Sequence, residues 1–145
     1  MLQSRKQYYI DPPELVSSPG KFTNTTGWIA GSNSSISTNS GSIRITTTAN
    51  GLASAYATIT CVPEIWYLIE CHIPIRVLTG LTSIGVGTSA GDTSILNQSN
   101  GLTGGGKSAL FKATQTIHYV SLTTSAAGFA GEYVHFDLYS VKEYV

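Results

Sequence analysis

The feature that most constrains the fold of this chain is an alternation of apolar and polar side chains that recurs in short segments between residues 43 and 141. An alternation with a period of two places the apolar side chains on one face of a strand. Clusters of Gly, Ser, Thr and Asn separate the segments, and no 3.6-residue period is sustained anywhere. Short strands at this spacing are typical of two antiparallel sheets that share one core. The sequence therefore predicts an all-β fold, an antiparallel jelly-roll β-sandwich of about eight strands.

The longest of these segments covers residues 65–77. Its inward-facing row is predicted to be Tyr67, Ile69, Cys71, Ile73, Ile75 and Val77. Pro74 interrupts the segment and cannot donate a hydrogen bond to a neighbouring strand. We therefore expect either an edge position or a β-bulge near Pro74.

The first 20 residues differ from the rest because they contain three prolines and show no alternation. Prolines of this density favour an extended backbone. We divide the chain into an extended N-terminal arm, residues 1–20, and a sandwich, residues 21–145. The arm contains a cluster of aromatic and basic residues, and we expect this cluster to be buried against a neighbouring subunit. The alternative is that the arm is a mobile leader without a partner. The predicted docking residues are Arg5, Tyr8, Tyr9 and Ile10.

Charge and hydropathy restrict the partners. Only 11% of the residues are charged and the net charge is +0, against about 25% charged residues in an average soluble domain. Because a neutral surface gains nothing from releasing counterions, we expect no nucleic-acid partner. No segment has the length and apolarity of a membrane span, and the first ten residues do not form a signal peptide. We therefore expect no membrane association.

The two cysteines, Cys61 and Cys71, raise the question of a disulfide. A hairpin turning near Pro63 would place Cys71 opposite Ala57, which is four residues from Cys61. That offset is about 13 Å along a strand, too far for a disulfide. We expect two small buried thiols.

The chain contains no convincing catalytic or metal-binding group. Residues 101–108 match the phosphate-binding pattern G-x-x-x-x-G-K-[ST], but the residues after Lys107 alternate like a strand, where that motif requires a helix. The three histidines, His72, His118 and His135, lie far apart in the sequence, whereas zinc ligands must converge on one point. We predict no catalytic residue, no cofactor and no metal.

Three short segments carry a resemblance to a known family. They are Pro19-Gly20-Lys21-Phe22-Thr23 with Thr26-Gly27-Trp28, then Val86-Gly87-Thr88-Ser89-Ala90-Gly91, then Phe136-Asp137-Leu138-Tyr139-Ser140-Val141-Lys142-Glu143. In these three segments the chain resembles the jelly-roll modules of bacteriophage virion proteins, which are related to carbohydrate-binding modules. The resemblance implies a calcium site in the carbohydrate-binding relatives. There, an Asp in the last strand helps to hold the ion together with an acidic residue near the start of the module. Here Lys21 replaces that acid, so we expect an ion pair between Lys21 and Asp137 instead.

The resemblance implies a non-enzymatic structural protein of a phage virion, and a capsid decoration or cement protein is the first interpretation. Its expected partners are the major capsid protein or other virion proteins, with self-association into a homo-oligomer. The alternative is a carbohydrate-binding module for host-surface glycans, as in tail fibres. Aromatic side chains that could stack on a sugar are Trp66, Tyr67, Tyr56 and Tyr133. Tyr67 falls on the apolar row and is expected in the core. Trp66 is the favoured stacking residue, because it lies at the start of its strand beside Pro63 and Glu64, where we expect it to be exposed.

Overall fold

The structure, a computed structural model, describes residues 11–16, 22–77, 81–100, 106–124 and 128–145. Within these ranges the chain forms ten strands and no helix. The strands are β1 (Ile29–Ala30), β2 (Ser34–Asn39), β3 (Ser42–Thr47), β4 (Ser54–Thr60), β5 (Trp66–Val77), β6 (Thr82–Gly87), β7 (Leu96–Asn100), β8 (Gly106–Lys112), β9 (Ile117–Thr123) and β10 (Tyr133–Glu143). No helix in the described part of the chain is long and apolar enough to cross a membrane.

The strands form two five-stranded sheets. The first sheet has the order β1-β4-β9-β6-β7, the second has the order β2-β3-β10-β5-β8, and every pairing is antiparallel. Their inner faces share one apolar core, in which the rings of Phe22, Trp28 and Tyr139 meet edge to face or tilted. The predicted antiparallel β-sandwich is confirmed.

The sequence does not predict two edge strands, β2 and β7. β2 and β7 are almost entirely polar, with Ile36 and Leu96 as their apolar residues, and β7 lies in a stretch that reads as a long loop. An edge strand with limited burial needs few apolar side chains, so its alternation is too weak to recognise.

The middle of β5 contains the irregularity that Pro74 predicts. Asp137 pairs with His72 and His135 pairs with Ile75, so β5 carries one extra residue at this point. Within the described residues, β8 pairs with β5 as far as His72. The prediction for Pro74 is confirmed.

The same bulge corrects the predicted inward row of β5. A one-residue slip moves the following side chains to the opposite face of a sheet. Ile75 and Val77 are consequently 44% and 50% exposed, whereas Ile73 is buried.

Cys61 and Cys71 are both free and buried, as predicted. The reasoning behind that prediction was wrong in one respect, because β4 and β5 do not form a hairpin: they belong to different sheets. Burial raises the pKa of the Cys61 thiol to about 11 and that of the Cys71 thiol to about 12. Both thiols are therefore unreactive at neutral pH.

Residues 11–16, the described part of the N-terminal segment, lie along β10 where β3 no longer pairs with it. The Glu14 carboxylate accepts hydrogen bonds from the Val141 amide (2.6 Å) and the Ser140 hydroxyl (2.6 Å). The Leu15 amide donates to the Val141 carbonyl (2.9 Å), and Val16 is buried in the core. This part of the segment therefore packs on its own sandwich. The predicted docking residues Arg5, Tyr8, Tyr9 and Ile10 lie outside the described residues.

Candidate functional site

Two tyrosines lie side by side on the outer face of the first sheet. Tyr56 of β4 and Tyr119 of β9 point outward because their neighbours Ala57 and Val120 are buried in the core. Tyr56 lies opposite Ser121, so Tyr119 is its diagonal neighbour across the strand pair. The ring centroids are 6.3 Å apart and the ring planes are inclined by 58°. Both rings are half-buried, and each keeps part of its surface open to solvent.

The loop between β6 and β7 folds over the same face. A Cβ atom on Gly85 would lie 2.2 Å from Cγ2 of Thr93, and one on Gly87 would lie 2.2 Å from the backbone oxygen of Asp92. Only glycine therefore allows the loop to approach the sheet this closely. The loop forms a wall beside the tyrosines.

The Asp92 carboxylate holds this loop in shape. Oδ2 accepts hydrogen bonds from the Thr88 amide (2.8 Å) and the Ser94 hydroxyl (2.8 Å), and Oδ1 accepts one from the Ser94 amide (3.0 Å). The bond from the Thr88 amide, followed by that from the Ser94 hydroxyl, lowers the pKa of Asp92 to about 2. Asp92 is therefore ionised at neutral pH.

His118 connects the loop to the turn before β9. Its buried ring nitrogen Nε2 accepts hydrogen bonds from the amides of Thr114 (3.1 Å) and Gln115 (3.3 Å). Nδ1 is 3.1 Å from the Gly87 carbonyl and must carry the proton if it is to donate there. His118 is thus a structural residue beneath the wall.

A cavity of about 600 Å³ lies on this face between the wall and β1. Its volume falls in the range of small-molecule sites, about 300–1,000 Å³. None of the residues that line it is charged; besides the Tyr56 ring they include Ala30, Gly31, Leu52, Ser54 and Ala90. We call this cavity, together with Tyr56 and Tyr119, the tyrosine groove.

Ser121 places an unsatisfied hydroxyl beneath this face. It lies between Tyr56 and Gly85 in the strand register and is fully buried, and its Oγ has no hydrogen-bond partner among the described residues. A buried polar atom without a partner is unusual in a folded protein. Because Ser121 is fully buried, its hydroxyl lies beneath the tyrosine face and not on the surface that a ligand would meet.

The favoured stacking residue of the sequence analysis lies elsewhere. Trp66 is exposed, as expected, but on the outer face of the second sheet. Tyr67 is buried in the core, as predicted, and Tyr133 lies beneath the Arg44 guanidinium, 3.9 Å from the ring centroid. Tyr56 was among the sequence candidates, whereas Tyr119 was missed because only the β4–β9 pairing brings it to Tyr56.

The described residues provide no metal centre: within them no three His, Cys, Asp or Glu side chains come together. Asp137 lies 2.8 Å from Nδ1 of His72, while its predicted partner Lys21 is outside the described residues. Lys107 belongs to a strand, β8, so no helix follows the glycine-rich segment as a phosphate-binding loop would require.

Comparison with known proteins gives matches in structure only. No protein-family model matches the sequence, and no curated protein matches it.

Three solved structures illustrate the likeness in fold. The enzymatically active domain of tailspike protein 4 from bacteriophage CBA120 matches with a TM-score of 0.64 and 16% identity, over 90% of this chain and 21% of that one. A Clostridium thermocellum endo-1,4-β-D-xylanase 10B fragment, CBM22-1 with its GH10 module in complex with xylohexaose, matches with a TM-score of 0.64 and 18% identity, over 94% and 29%. The CBM22-1 xylan-binding domain of Paenibacillus barcinonensis Xyn10C matches with a TM-score of 0.61 and 11% identity, over 92% and 96%.

The protein thus has the β-sandwich fold of carbohydrate-binding modules, which also occurs within a phage tailspike chain. It spans about a fifth of the tailspike chain and most of the xylan-binding domain.

Proposed function

We propose that this protein is a carbohydrate-binding module that holds a glycan in the tyrosine groove and does not act on it chemically. The observation that carries the proposal is the half-exposed Tyr56 ring, which lines an uncharged cavity of about 600 Å³ and has the half-exposed Tyr119 ring next to it. The xylan-binding domain of the same fold supports the ligand class.

The chemistry of the groove fits a sugar ring. One face of a pyranose presents C–H groups, and covering them with an aromatic ring is favourable because it removes apolar surface from water. The sugar hydroxyls then need hydrogen-bond partners, which the Ser54 hydroxyl and the backbone of Ala90 can provide at the cavity wall. The described residues that line the cavity include no acid, base or thiol, so the proposal is binding without catalysis.

The likeness to a phage tailspike supports a setting for this binding. We propose that the glycan is on a host cell surface and that the protein acts within a phage particle. The capsid decoration role moves to second place, because the similar structures favour glycan recognition and none of the three described above is a capsid protein. Contact with a capsid protein, self-association and a place in the virion remain predictions.

Affinity electrophoresis in gels that contain xylan, bacterial lipopolysaccharide or capsular polysaccharide tests the proposal. We expect at least one polysaccharide to retard the unmodified protein. Tyr56→Ala and Tyr119→Ala should each weaken the interaction by about tenfold or more, since each removes a stacking surface. Tyr133→Ala, a matched change on the opposite sheet, should leave it unchanged. Equal retardation of all four proteins, or none in any gel, would contradict the proposal.

A further inference from the structure

A second pair of aromatic side chains lies at one end of the second sheet, on its outer face. The Tyr144 amide donates a hydrogen bond to the Trp66 carbonyl (2.8 Å), which continues the register of β10 and β5 by one residue. Tyr144 is therefore directly opposite Trp66, and Lys112 of β8 is opposite Trp66 on the other side. Side chains directly opposite each other in antiparallel strands share a face and lie about 5 Å apart at Cβ.

Both rings are open to solvent. Trp66 is 48% exposed and Tyr144 is 56% exposed. In contrast, the other tryptophan, Trp28, is 6% exposed and packs in the core. Tryptophan is highly buried on average, so an exposed one beside an exposed tyrosine needs an explanation.

Ion pairs border these rings on both sides. Nζ of Lys112 is 2.6 Å from Oε2 of Glu64, and Nζ of Lys142 is 2.8 Å from Oδ2 of Asp11. Each pair places a hydrogen-bond donor and an acceptor side by side. Neighbouring sugar hydroxyls, which both donate and accept, bind well to such pairs.

The position of Glu64 is itself unusual. Its backbone has a φ of 70°, in the left-handed region that non-glycine residues rarely adopt. The strained residue is held by a hydrogen bond from its amide to the Ala113 carbonyl (2.8 Å). Strained residues persist where the surrounding structure holds them and often carry functional side chains. Here the strained residue directs a carboxylate to the edge of the Trp66 platform.

A shallow cavity of about 260 Å³ extends from Tyr144 along β10. Leu68, Glu70 and Glu143 line it together with the Lys142–Asp11 pair. A ligand on the rings could therefore continue into a polar channel, as a chain of sugars would.

We propose that Trp66 and Tyr144 form a second carbohydrate-binding platform, on the opposite sheet from the tyrosine groove. The ligand is an uncharged sugar of a glycan chain, because the lysines at the rim are already paired and additional carboxylates of Glu70 and Glu143 would repel an acidic sugar. The proposal shares its ligand class with the proposed function, but its residues are separate from those of the groove. A chain with two such faces could bridge two glycans.

Tryptophan fluorescence reports on this platform alone, because the chain has two tryptophans and only Trp66 is exposed. The experiment uses the Tyr56→Ala/Tyr119→Ala protein, in which the groove is disabled, and measures quenching by acrylamide. Xylohexaose and β-1,4-galactotriose serve as probes. We expect one of them at saturation to lower the quenching constant about twofold, since it covers the exposed indole. Adding Tyr144→Ala should raise the sugar concentration needed for half of this protection about tenfold. Trp66→Phe should abolish the part of the fluorescence that acrylamide quenches.

Two results would overturn the inference. The first is unchanged quenching of Trp66 with both sugars. The second is protection of Trp66 that rises with protein concentration in the absence of sugar, which would make the platform an interface between copies of the chain. Failure of the groove is recognised separately: the same Tyr56→Ala/Tyr119→Ala protein would then bind polysaccharide gels as well as the unmodified protein does.

Discussion

At the scale of single residues, the tyrosine groove depends on two positions that have no side chain. Gly85 and Gly87 face outward on β6, directly beneath the loop that forms the wall. Their role is steric: any Cβ at either position would occupy space that the loop already fills.

We predict that Gly87→Ala displaces the wall. The added Cβ would meet backbone atoms of Asp92 at 2.2 and 2.4 Å, and a backbone cannot rotate away as a side chain could. The expected cost is about 1–3 kcal/mol of unfolding free energy, together with loss of glycan binding. Gly106→Ala is the matched control, because no atom of the described residues lies within 4 Å of its Cβ position. Urea denaturation and affinity electrophoresis of both variants check the prediction, and equal stability would show that the loop does not lie where the structure places it.

Asp92 gives a prediction that depends on pH. Its folded-state pKa is about 2, below the ordinary value of 3.8, so its hydrogen bonds contribute stability above about pH 4. That contribution is lost as the pH falls from about 4 to about 2, where the carboxyl becomes protonated in the folded state as well. We expect Asp92→Asn to lower the melting temperature at pH 6 and to make less difference at pH 2. A difference that stays constant over this range would contradict the assignment.

At the scale of elements, residues 11–16 act as a strap on the open side of β10. β3 pairs with β10 only through Phe136, and the backbone of Val141 beyond it bonds with Glu14 and Leu15 instead. The strap thus satisfies polar groups of a strand that would otherwise present an unpaired edge.

We predict that Glu14→Ala destabilises the sandwich by about 1–3 kcal/mol, because the Val141 amide and the Ser140 hydroxyl would lose their acceptor. Glu14→Gln keeps one carbonyl oxygen and should cost less than Glu14→Ala. The melting temperatures of the two variants and of the unmodified protein test this prediction. If both variants melt with the unmodified protein, the strap does not contribute to the fold.

The elements also show how far the sequence alone can be read. The alternation around Ile43 and Tyr67 predicts the strands because period-two burial leaves a direct trace in the chain. Pro74 predicts the irregularity in β5 but not its consequence, since the direction in which Ile75 turns depends on the register with β10. The groove cannot be predicted in the same way: Tyr56 and Tyr119 are far apart in sequence, and only the pairing of β4 with β9 brings them together.

At the scale of the whole molecule, the two outer faces differ in character. The first sheet offers a walled, uncharged groove, and the second offers an open aromatic platform bordered by ion pairs. A β-sandwich can carry two different outer surfaces, because the core between the sheets holds both sheets in place and leaves their outer faces open. The proposed glycan recognition within a phage particle would connect the groove with the likeness in fold to a tailspike and a xylan-binding domain.

The most direct test of this account is a titration of the isotope-labelled protein with a glycan that retards it, followed by amide NMR. We predict that the amides of Tyr56, Ala90, Gly91 and Tyr119 shift in a saturable way, which would place the ligand in the tyrosine groove. A glycan that shifts signals elsewhere and leaves these four unmoved would contradict the central claim, as would a spectrum that no glycan changes.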